Sequence, residues 1–256
     1  MKAAFRAALF HFLGSLLVAS LAGVLVFLVW YPHPYSLLSG GLKLFLILVT
    51  VDVVCGPLLT LVLFNPKKPR RELVTDMSLV VLIQLAALAY GMHTVHQARP
   101  LFLVHEVDRF RVVGLPDYQG HDVTQALASL PPALHPTFTS GPVTVGTRPP
   151  ASLEERQGVL FESMYGGRDY AQRPEFYVPY DSAYQVLVLE RAKPLAAFVK
   201  RFPETINDAN SLLRSRGIGL DVAKFLPVLH KQEWVAVMDT QARIIGFLPG
   251  DGFAVP

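Results

Sequence analysis

The chain has 256 residues, of which 52% are hydrophobic and 17% are charged, and its formal net charge is +3. This composition is too apolar for an ordinary soluble domain of that size, and the apolar residues are concentrated before residue 98. The part up to residue 97 has seven Lys and Arg against three acids, a net of +4, whereas the remainder has a net of −1. A near-neutral remainder without a basic, aromatic-rich stripe gives no reason to expect a nucleic-acid partner.

Three apolar runs predict transmembrane helices at about 7–31, 42–64 and 77–97, since about 20 apolar residues span a bilayer. The first run follows Lys2 and Arg6 and contains Ser20-Leu21-Ala22, which resembles a signal-peptide cleavage site. However, the run stays apolar to Trp30, where a cleaved signal would turn polar, so we expect this helix to be retained. The sequence therefore predicts a transmembrane domain over 1–97 and an extracytoplasmic domain over 98–256.

The distribution of positive charge predicts the orientation of these helices. Four cations lie in a loop at 65–76, namely Lys67, Lys68, Arg70 and Arg71. Only Lys43 lies at the connection between the first two spans. By the positive-inside rule, the N-terminus and the basic loop are cytoplasmic, which leaves residues 98–256 outside. In a Gram-negative bacterial cell that outer side is the periplasm.

Asp52 lies near the middle of the second run, in the segment VDVVCGPLLT. A lone carboxylate at the centre of a span costs about 2.5–3.5 kcal/mol on insertion scales, so something must offset it. At helical spacing Asp52, Gly56 and Thr60 share one face. We expect Asp52 to face Gln84 of the third span or a partner's helix. The carboxyl group is then either an internal packing determinant or a docking point for another transmembrane helix; ion transport is poorly supported because no relay of further acids or histidines accompanies it.

Small residues in the other spans predict a tight three-helix bundle. The first span has a small-residue face at Ser15, Ala19 and Gly23, which allows close approach of another backbone. In the third span Gly91 lies on a bearing similar to that of Gln84. In the second span Pro57 lacks an N–H, so the carbonyl of Val53 loses its helical donor and we expect a kink or bulge there.

The sequence contains no catalytic signature of the common families: GxSxG, HExxH, CxxC, GxxxxGK[ST] and GxGxxG are all absent. His93, His96 and His105 are near one another in sequence, but without a paired carboxylate we interpret them as polar interface residues rather than a metal site. Cys55 is the only cysteine, so no intrachain disulfide can form. We expect no catalytic residue, no metal and no cofactor, and a protein that is not an enzyme.

Residues 98–256 have the pattern of an α+β domain with an antiparallel sheet. A strand is predicted over 99–113, a short helix over 123–130 within loops from 114 to 150, and a hairpin over 233–249 that turns at 239–242. Helices are predicted over 192–202 and 207–217, the second with Asn207 or Asp208 as N-cap and Gly217 as C-cap. The aromatic segment 173–185 is either a binding edge or core packing.

These residues together resemble the type IV pilin accessory proteins of the TfpX/TfpZ family along essentially the whole chain. The resemblance is carried by WYPHPY before a Gly-Gly pair, VDVVCGPLLTLVLFNPKK, ELVTDMSLVVLIQLAALAYGM, the Arg-Pro at 99–100, DRFRVV and the terminal hairpin. It implies an inner-membrane accessory protein that binds a type IV pilin, the major pilin first of all, and supports pilus biogenesis as a chaperone or assembly factor.

The resemblance implies further partners and sites. A pilin places an apolar helix in the membrane and a globular head outside, so the face around Asp52, Gly56, Pro57, Thr60, Gln84 and Gly91 is the expected pilin contact. The basic loop is expected to contact the lipid bilayer and pilus assembly-platform proteins. Two alternatives remain: a membrane-anchored periplasmic enzyme that modifies pilin or envelope glycan, and a sensor, which the lack of a cytoplasmic output domain disfavours.

Overall fold

The computed structural model describes residues 2–118 and 123–256. The chain divides into two compact units: the membrane unit, residues 1–36 with 40–99, and the sheet unit, residues 37–39 with 100–256. The helices are α1 (Lys2–Leu25), α2 (Tyr35–Leu38), α3 (Gly41–Leu63), α4 (Arg70–Gln97), α5 (Val123–Ala128), α6 (Leu153–Met164), α7 (Ser182–Arg191), α8 (Leu195–Arg201) and α9 (Ile206–Arg214). The strands are β1 (Pro100–Glu106), β2 (Arg109–Gly114), β3 (Val143–Thr147), β4 (Tyr177–Pro179), β5 (Lys193–Pro194), β6 (Lys224–Leu229), β7 (Trp234–Met238) and β8 (Ile244–Pro249).

Three helices of the membrane unit are long and apolar enough to cross a bilayer: Lys2–Trp30, Gly41–Leu63 and Arg70–Gln97. The three predicted runs are therefore helical, and the protein is membrane-associated. The third helix begins at Arg70 rather than at residue 77, so Arg70 and Arg71 belong to its first turn and the preceding loop is shorter than predicted. Charged residues extend a helix readily at the membrane boundary, where an apolar window does not detect them.

The helix α3 continues as an α-helix through Pro57, so of the kink or bulge predicted there the bulge is absent. A π-helical turn lies instead at Val26–Trp30, which continues α1. It brings Tyr31 to the junction of the bundle, where Gly41 leaves room for its ring: a Cβ on Gly41 would lie 2.3 Å from the ring. The Tyr31 hydroxyl donates to the carbonyl of Val95 over 3.0 Å. These contacts fix the ends of α1, α3 and α4 against one another.

The sheet unit contains one mixed sheet with the strand order β4-β3-β1-β2-β6-β7-β8, and β5 pairs with β6. The pairs β1–β3 and β2–β6 are parallel, whereas β1–β2, β3–β4, β6–β7 and β7–β8 are antiparallel. The prediction of an antiparallel sheet was therefore wrong in part. The central strands β1 and β7 are buried along their whole length, as expected for strands covered on both faces.

The predicted strand over 99–113 is a hairpin of β1 and β2. The chain turns at Val107, whose φ of 55° is in the left-handed region. A β-branched residue rarely adopts that conformation. The turn also lacks Gly and Asn, which are the residues that usually signal a hairpin turn in a sequence. The terminal hairpin is confirmed, with β7 and β8 flanking a loop that begins at Asp239.

Other predicted elements differ in detail. The helices predicted over 123–130 and 192–202 are confirmed as α5 and, in shortened form, α8. The helix α9 begins at Ile206, after a 3₁₀ turn over Pro203–Thr205, so neither Asn207 nor Asp208 is its N-cap. Gly217 follows the end of α9 with a φ of +65°, which agrees with a helix-terminating role.

Among the described residues of the sheet unit, two clusters of buried apolar side chains form its core. One joins α8 and α9 to β6, β7 and β8 around Phe198 and Phe225. The other surrounds β1 and contains Phe102 and Tyr177. Because Phe176 and Tyr177 are buried, the aromatic segment 173–185 serves core packing rather than an exposed edge.

Candidate functional site

The membrane unit has a groove between α1 and α4, with α3 as its base. It has a volume of about 240 Å³, and we name it the Asp52 groove. Its polar lining residues are His11 and Ser15 of α1, Asp52 of α3 and Gln84 of α4. Its apolar lining residues include Gly14, Val18 and Leu88. The base is closed because α3 packs against both α1 and α4.

Gln84 connects α4 to α3 through the backbone of Asp52. Its Nε2 donates to the Asp52 carbonyl oxygen over 2.7 Å and lies 3.4 Å from the Ser15 hydroxyl. The predicted proximity of Asp52 and Gln84 is therefore present, although the bond uses the main chain and not the carboxyl group. Pro57 has no N–H, so the carbonyl of Val53 lacks its helical donor. The Gln84 amide lies one residue away from this freed carbonyl and bonds the carbonyl of the preceding residue, Asp52, instead.

The Asp52 side chain lines the groove and is 8% exposed. Within residues 2–118 and 123–256 its carboxyl group has no hydrogen-bond partner. The neighbouring Gln84 Oε1 is a buried acceptor that also has no partner in that part of the chain. Buried polar groups are nearly always paired, so the buried and unpaired Gln84 Oε1, beside a carboxyl group that opens onto the same groove, requires an explanation.

His11 is a polar residue of the groove that the sequence analysis did not identify. Its Nδ1 lies 2.5 Å from the Thr60 hydroxyl, and Thr60 itself is buried. The two residues are 49 positions apart and on different helices, so no local spacing could indicate their contact. The pair connects α1 to α3 beside the small-residue face of α1.

The small residues predicted to matter have different neighbours. Gly56 lies under the Gln84 amide, where a Cβ would be 2.2 Å from its atoms, and Gly91 lies against Leu48, where a Cβ would be 2.1 Å from a methyl group. Gly23 lies against the ring of Phe45. Three further residues border the groove, namely Gly14, Ser15 and Ala19. A Cβ added at Gly14 would have no atom within 4 Å. Gly56, Gly91 and Gly23 therefore allow contacts within the bundle, whereas Gly14 opens the groove.

The cations of the predicted basic loop differ in their pairing. Lys68 is 2.7 Å from Asp76 and 3.4 Å from Glu72. The other three, Lys67, Arg70 and Arg71, are exposed and have no ion pair within the described residues. Three cations therefore remain accessible at this end of the bundle.

The histidines do not converge on a metal site in the described part of the chain, where no group of three His, Cys, Asp or Glu side chains is suitably arranged. His96 contacts Trp30 edge-to-face and is hydrogen-bonded to Arg99. In the sheet unit His105 is buried, with its Nδ1 2.9 Å from the Tyr184 hydroxyl. Burial lowers the pKa of His105 to about 4, so the ring is neutral at physiological pH.

Several charged groups of the sheet unit pair with one another, some of them in buried positions. Arg173 is buried and lies 2.5 Å from Glu162, and Arg148 makes a bidentate pair with Glu155. Asp239 is buried, and its carboxylate accepts from backbone N–H groups of its own loop and from Arg243. Burial opposes ionisation of Asp239, but these hydrogen bonds prevail and its pKa is lowered. The paired charges stabilise the domain.

Known proteins similar to this chain share one description. A family model for the fimbrial assembly protein FimB matches residues 1–40. The serogroup I fimbrial assembly protein of Dichelobacter nodosus is 38% identical over 247 residues, which cover 95% of this chain and 93% of the relative. The serogroup E1 protein of the same organism is 36% identical over the same shares of both chains. No solved structure matches the chain.

The fold and the groove define a class of membrane-associated protein in which three apolar helices precede a mixed-sheet domain. The identity to full-length relatives extends through both units. The chain belongs to the family of fimbrial assembly proteins, which confirms the resemblance to type IV pilin accessory proteins.

Proposed function

We propose that this protein supports type IV pilus biogenesis by binding a pilin within the inner membrane, as a pilin-specific chaperone or assembly factor. The role in pilus biogenesis is supported by relatives that are named fimbrial assembly proteins. The pilin is the proposed partner because it is the fimbrial subunit and has an apolar membrane helix of the kind that the groove would accept.

The observation that carries the proposal is the Asp52 groove. Two helices flank it, a third closes its base, and Gly14 and Ser15 keep one wall low enough for another backbone to approach. A fourth helix lying in this groove would cover Asp52, which otherwise faces it unpaired. The geometry therefore suits a transmembrane helix of a client better than a soluble ligand.

The orientation that we propose follows from charge. Lys67, Arg70 and Arg71 are exposed at one end of the bundle, and the positive-inside rule places that end in the cytoplasm. The sheet unit then lies in the periplasm, where the pilin head would be available to it. The same cations are suited to anionic lipid or to acidic surfaces of the assembly platform.

We further propose that the protein acts by binding and not by catalysis. This is supported by the mutual pairing of Arg173 with Glu162 and of Arg148 with Glu155, which leaves these groups engaged in structure. An enzyme that modifies pilin or envelope glycan would instead require acids and bases that converge on a cleft.

Filling the groove tests the proposal. A leucine at position 14 meets no atom within 4 Å of its Cβ, so Gly14→Leu should leave the bundle intact while its side chain occupies the groove. Overpacking of a contact costs about 1–3 kcal/mol, so we expect pilin capture to fall by about 5-fold to 100-fold. The measurement is co-purification of pilin with the tagged full-length protein in mild detergent, normalised to the amount of protein in the membrane.

The matched control is Leu17→Phe. Leu17 is 63% exposed on the same helix and does not line the groove, so its replacement places a large apolar side chain on the outer face of α1. We expect it to capture pilin like the unmodified protein. Equal capture by Gly14→Leu, at equal accumulation, would disprove binding in the groove.

A further inference from the structure

We propose that the Asp52 groove recognises one polar residue of the client helix, a residue that donates hydrogen bonds to the Asp52 carboxyl group and to Gln84 Oε1. This inference rests on the proposed function, because it specifies the chemistry of a helix that the groove is proposed to bind. Such a polar residue would allow the groove to distinguish the client helix from the other apolar helices of the membrane.

The free group of Gln84 must be an acceptor. One of the two terminal atoms of the Gln84 side-chain amide lies 2.7 Å from the Asp52 carbonyl oxygen. Two acceptors would repel each other at this distance, so this atom is the NH₂ nitrogen, which donates. The remaining atom is therefore Oε1, which is buried and unpaired within the described residues. A carbonyl oxygen in an apolar surrounding is satisfied only by a donor.

The second acceptor is the carboxyl group of Asp52. Within the described residues no hydrogen bond reaches this group, and Gln84 bonds the Asp52 main-chain oxygen instead. Asp52 is more than nine-tenths buried and lines the groove. A carboxyl group in hydrocarbon is retained only where a partner compensates it, and here that partner must come from outside the described chain.

The rest of the groove would exclude a very polar occupant. Val18 and Leu88 line it beside the polar residues. An apolar helix with a single donor fits this lining, because its hydrocarbon side chains pack on α1 and α4 while one polar side chain reaches Asp52 and Gln84. A helix without that donor would leave Gln84 Oε1 unpaired and would cover the Asp52 carboxyl group without giving it a hydrogen bond.

The test compares Asp52→Leu with Asp52→Asn in the full-length protein in lipid nanodiscs. Both side chains have the same number and branching of heavy atoms as aspartate, and both keep the main-chain oxygen that Gln84 binds, so the bundle should remain folded. Asparagine retains an acceptor, whereas leucine does not. We expect Asp52→Leu to bind pilin about 3-fold to 20-fold more weakly than Asp52→Asn, the range given by single interhelical hydrogen bonds.

A double-mutant cycle identifies the donor on the client. Each polar residue in the membrane helix of the pilin is replaced by leucine, and binding to the unmodified protein and to Asp52→Leu is measured. One replacement should weaken binding to the unmodified protein and have little further effect on Asp52→Leu, because both changes remove the same bond.

Two results separate the failure of this inference from failure of the proposed function. If Asp52→Leu binds pilin as tightly as Asp52→Asn while Gly14→Leu does not bind, the groove holds the client and the polar recognition is disproved. If Gly14→Leu binds normally, the groove does not hold the client, and the proposed binding of pilin in this groove is disproved together with this inference.

Discussion

Protonation of His105 should destabilise the sheet unit between neutral and mildly acidic pH. The ring is buried, its Nδ1 contacts the Tyr184 hydroxyl, and its Nε2 has no partner within the described residues. The Tyr184 oxygen in turn accepts from the backbone N–H of Thr147 over 2.9 Å. A second proton on the ring would therefore create a buried cation for which no acceptor is available at Nε2.

The magnitude follows from the pKa of His105. Burial lowers it from 6.5 to about 4, against a smaller opposing effect of Asp108. At about 1.4 kcal/mol per pKa unit, this difference corresponds to about 3 kcal/mol of unfolding free energy. Because the folded pKa is the lower one, the stabilisation is complete above the unfolded pKa of 6.5, is lost as pH falls towards 4, and changes no further below it.

The assay is urea unfolding of the full-length protein in nanodiscs at several pH values from 7 to 4. Trp234 of β7 reports on the sheet unit in a Trp30→Phe background, since the sequence has only two tryptophans. The comparison is with His105→Asn, which keeps a polar atom near the Nδ1 position and does not titrate. His230, whose pKa burial also lowers, is present in both proteins and cancels in the difference.

We expect the unmodified protein to lose about 3 kcal/mol more than His105→Asn between pH 7 and pH 4. Parallel pH profiles for the two proteins would refute the reasoning, because they would show that His105 has the same proton affinity in the folded and unfolded states.

Three further substitutions test individual contacts. Asp239→Ala should lower the unfolding free energy of the sheet unit by about 2–4 kcal/mol in the same urea assay, since it unpairs two backbone N–H groups of the hairpin loop, whereas Asn should cost less. Gly56→Ala should displace the Gln84 amide and lower the midpoint of thermal unfolding of the bundle followed by circular dichroism, while Gly14→Ala should not. Tyr31→Phe should lower the unfolding free energy of the bundle by about 1–3 kcal/mol, because the buried carbonyl of Val95 in α4 loses its donor. Unchanged stability after any of the three substitutions would contradict the corresponding contact.

The membrane helices could be predicted because hydropathy over about 20 residues is a strong signal. Their ends were less well predicted: α4 begins at Arg70, where charged residues continue the helix beyond the apolar window. Likewise, the terminal hairpin has a clear alternation of strand and turn, whereas the first hairpin turns at Val107 and Asp108 without the Gly or Asn that would signal a two-residue turn.

Long-range pairing set the limit in the sheet unit. The parallel pairs β1–β3 and β2–β6 join segments separated by many residues, and local patterns do not specify them. The helix α6 was not predicted. Its apolar residues Leu160, Phe161 and Met164 are exposed, and Val159 is its buried residue, so its sequence does not show the apolar face of an amphipathic helix.

The groove was predicted in part. Asp52 and Gln84 could be paired from the cost of burying polar groups in a membrane, but which atoms bond depends on the relative rotation of α3 and α4. That rotation places the main-chain oxygen of Asp52, and not its carboxyl group, against Gln84. The contact of His11 with Thr60 depends on the same kind of tertiary detail.

Site-specific photocross-linking in cells tests the central proposal most directly. A photoreactive amino acid is placed either at Val18, which lines the Asp52 groove, or at Leu17, its neighbour on the outer face of α1. If the groove holds the client helix, position 18 forms a cross-link to pilin and position 17 does not. Equal cross-linking at both positions, or none at position 18 in cells that contain pilin, would contradict the account.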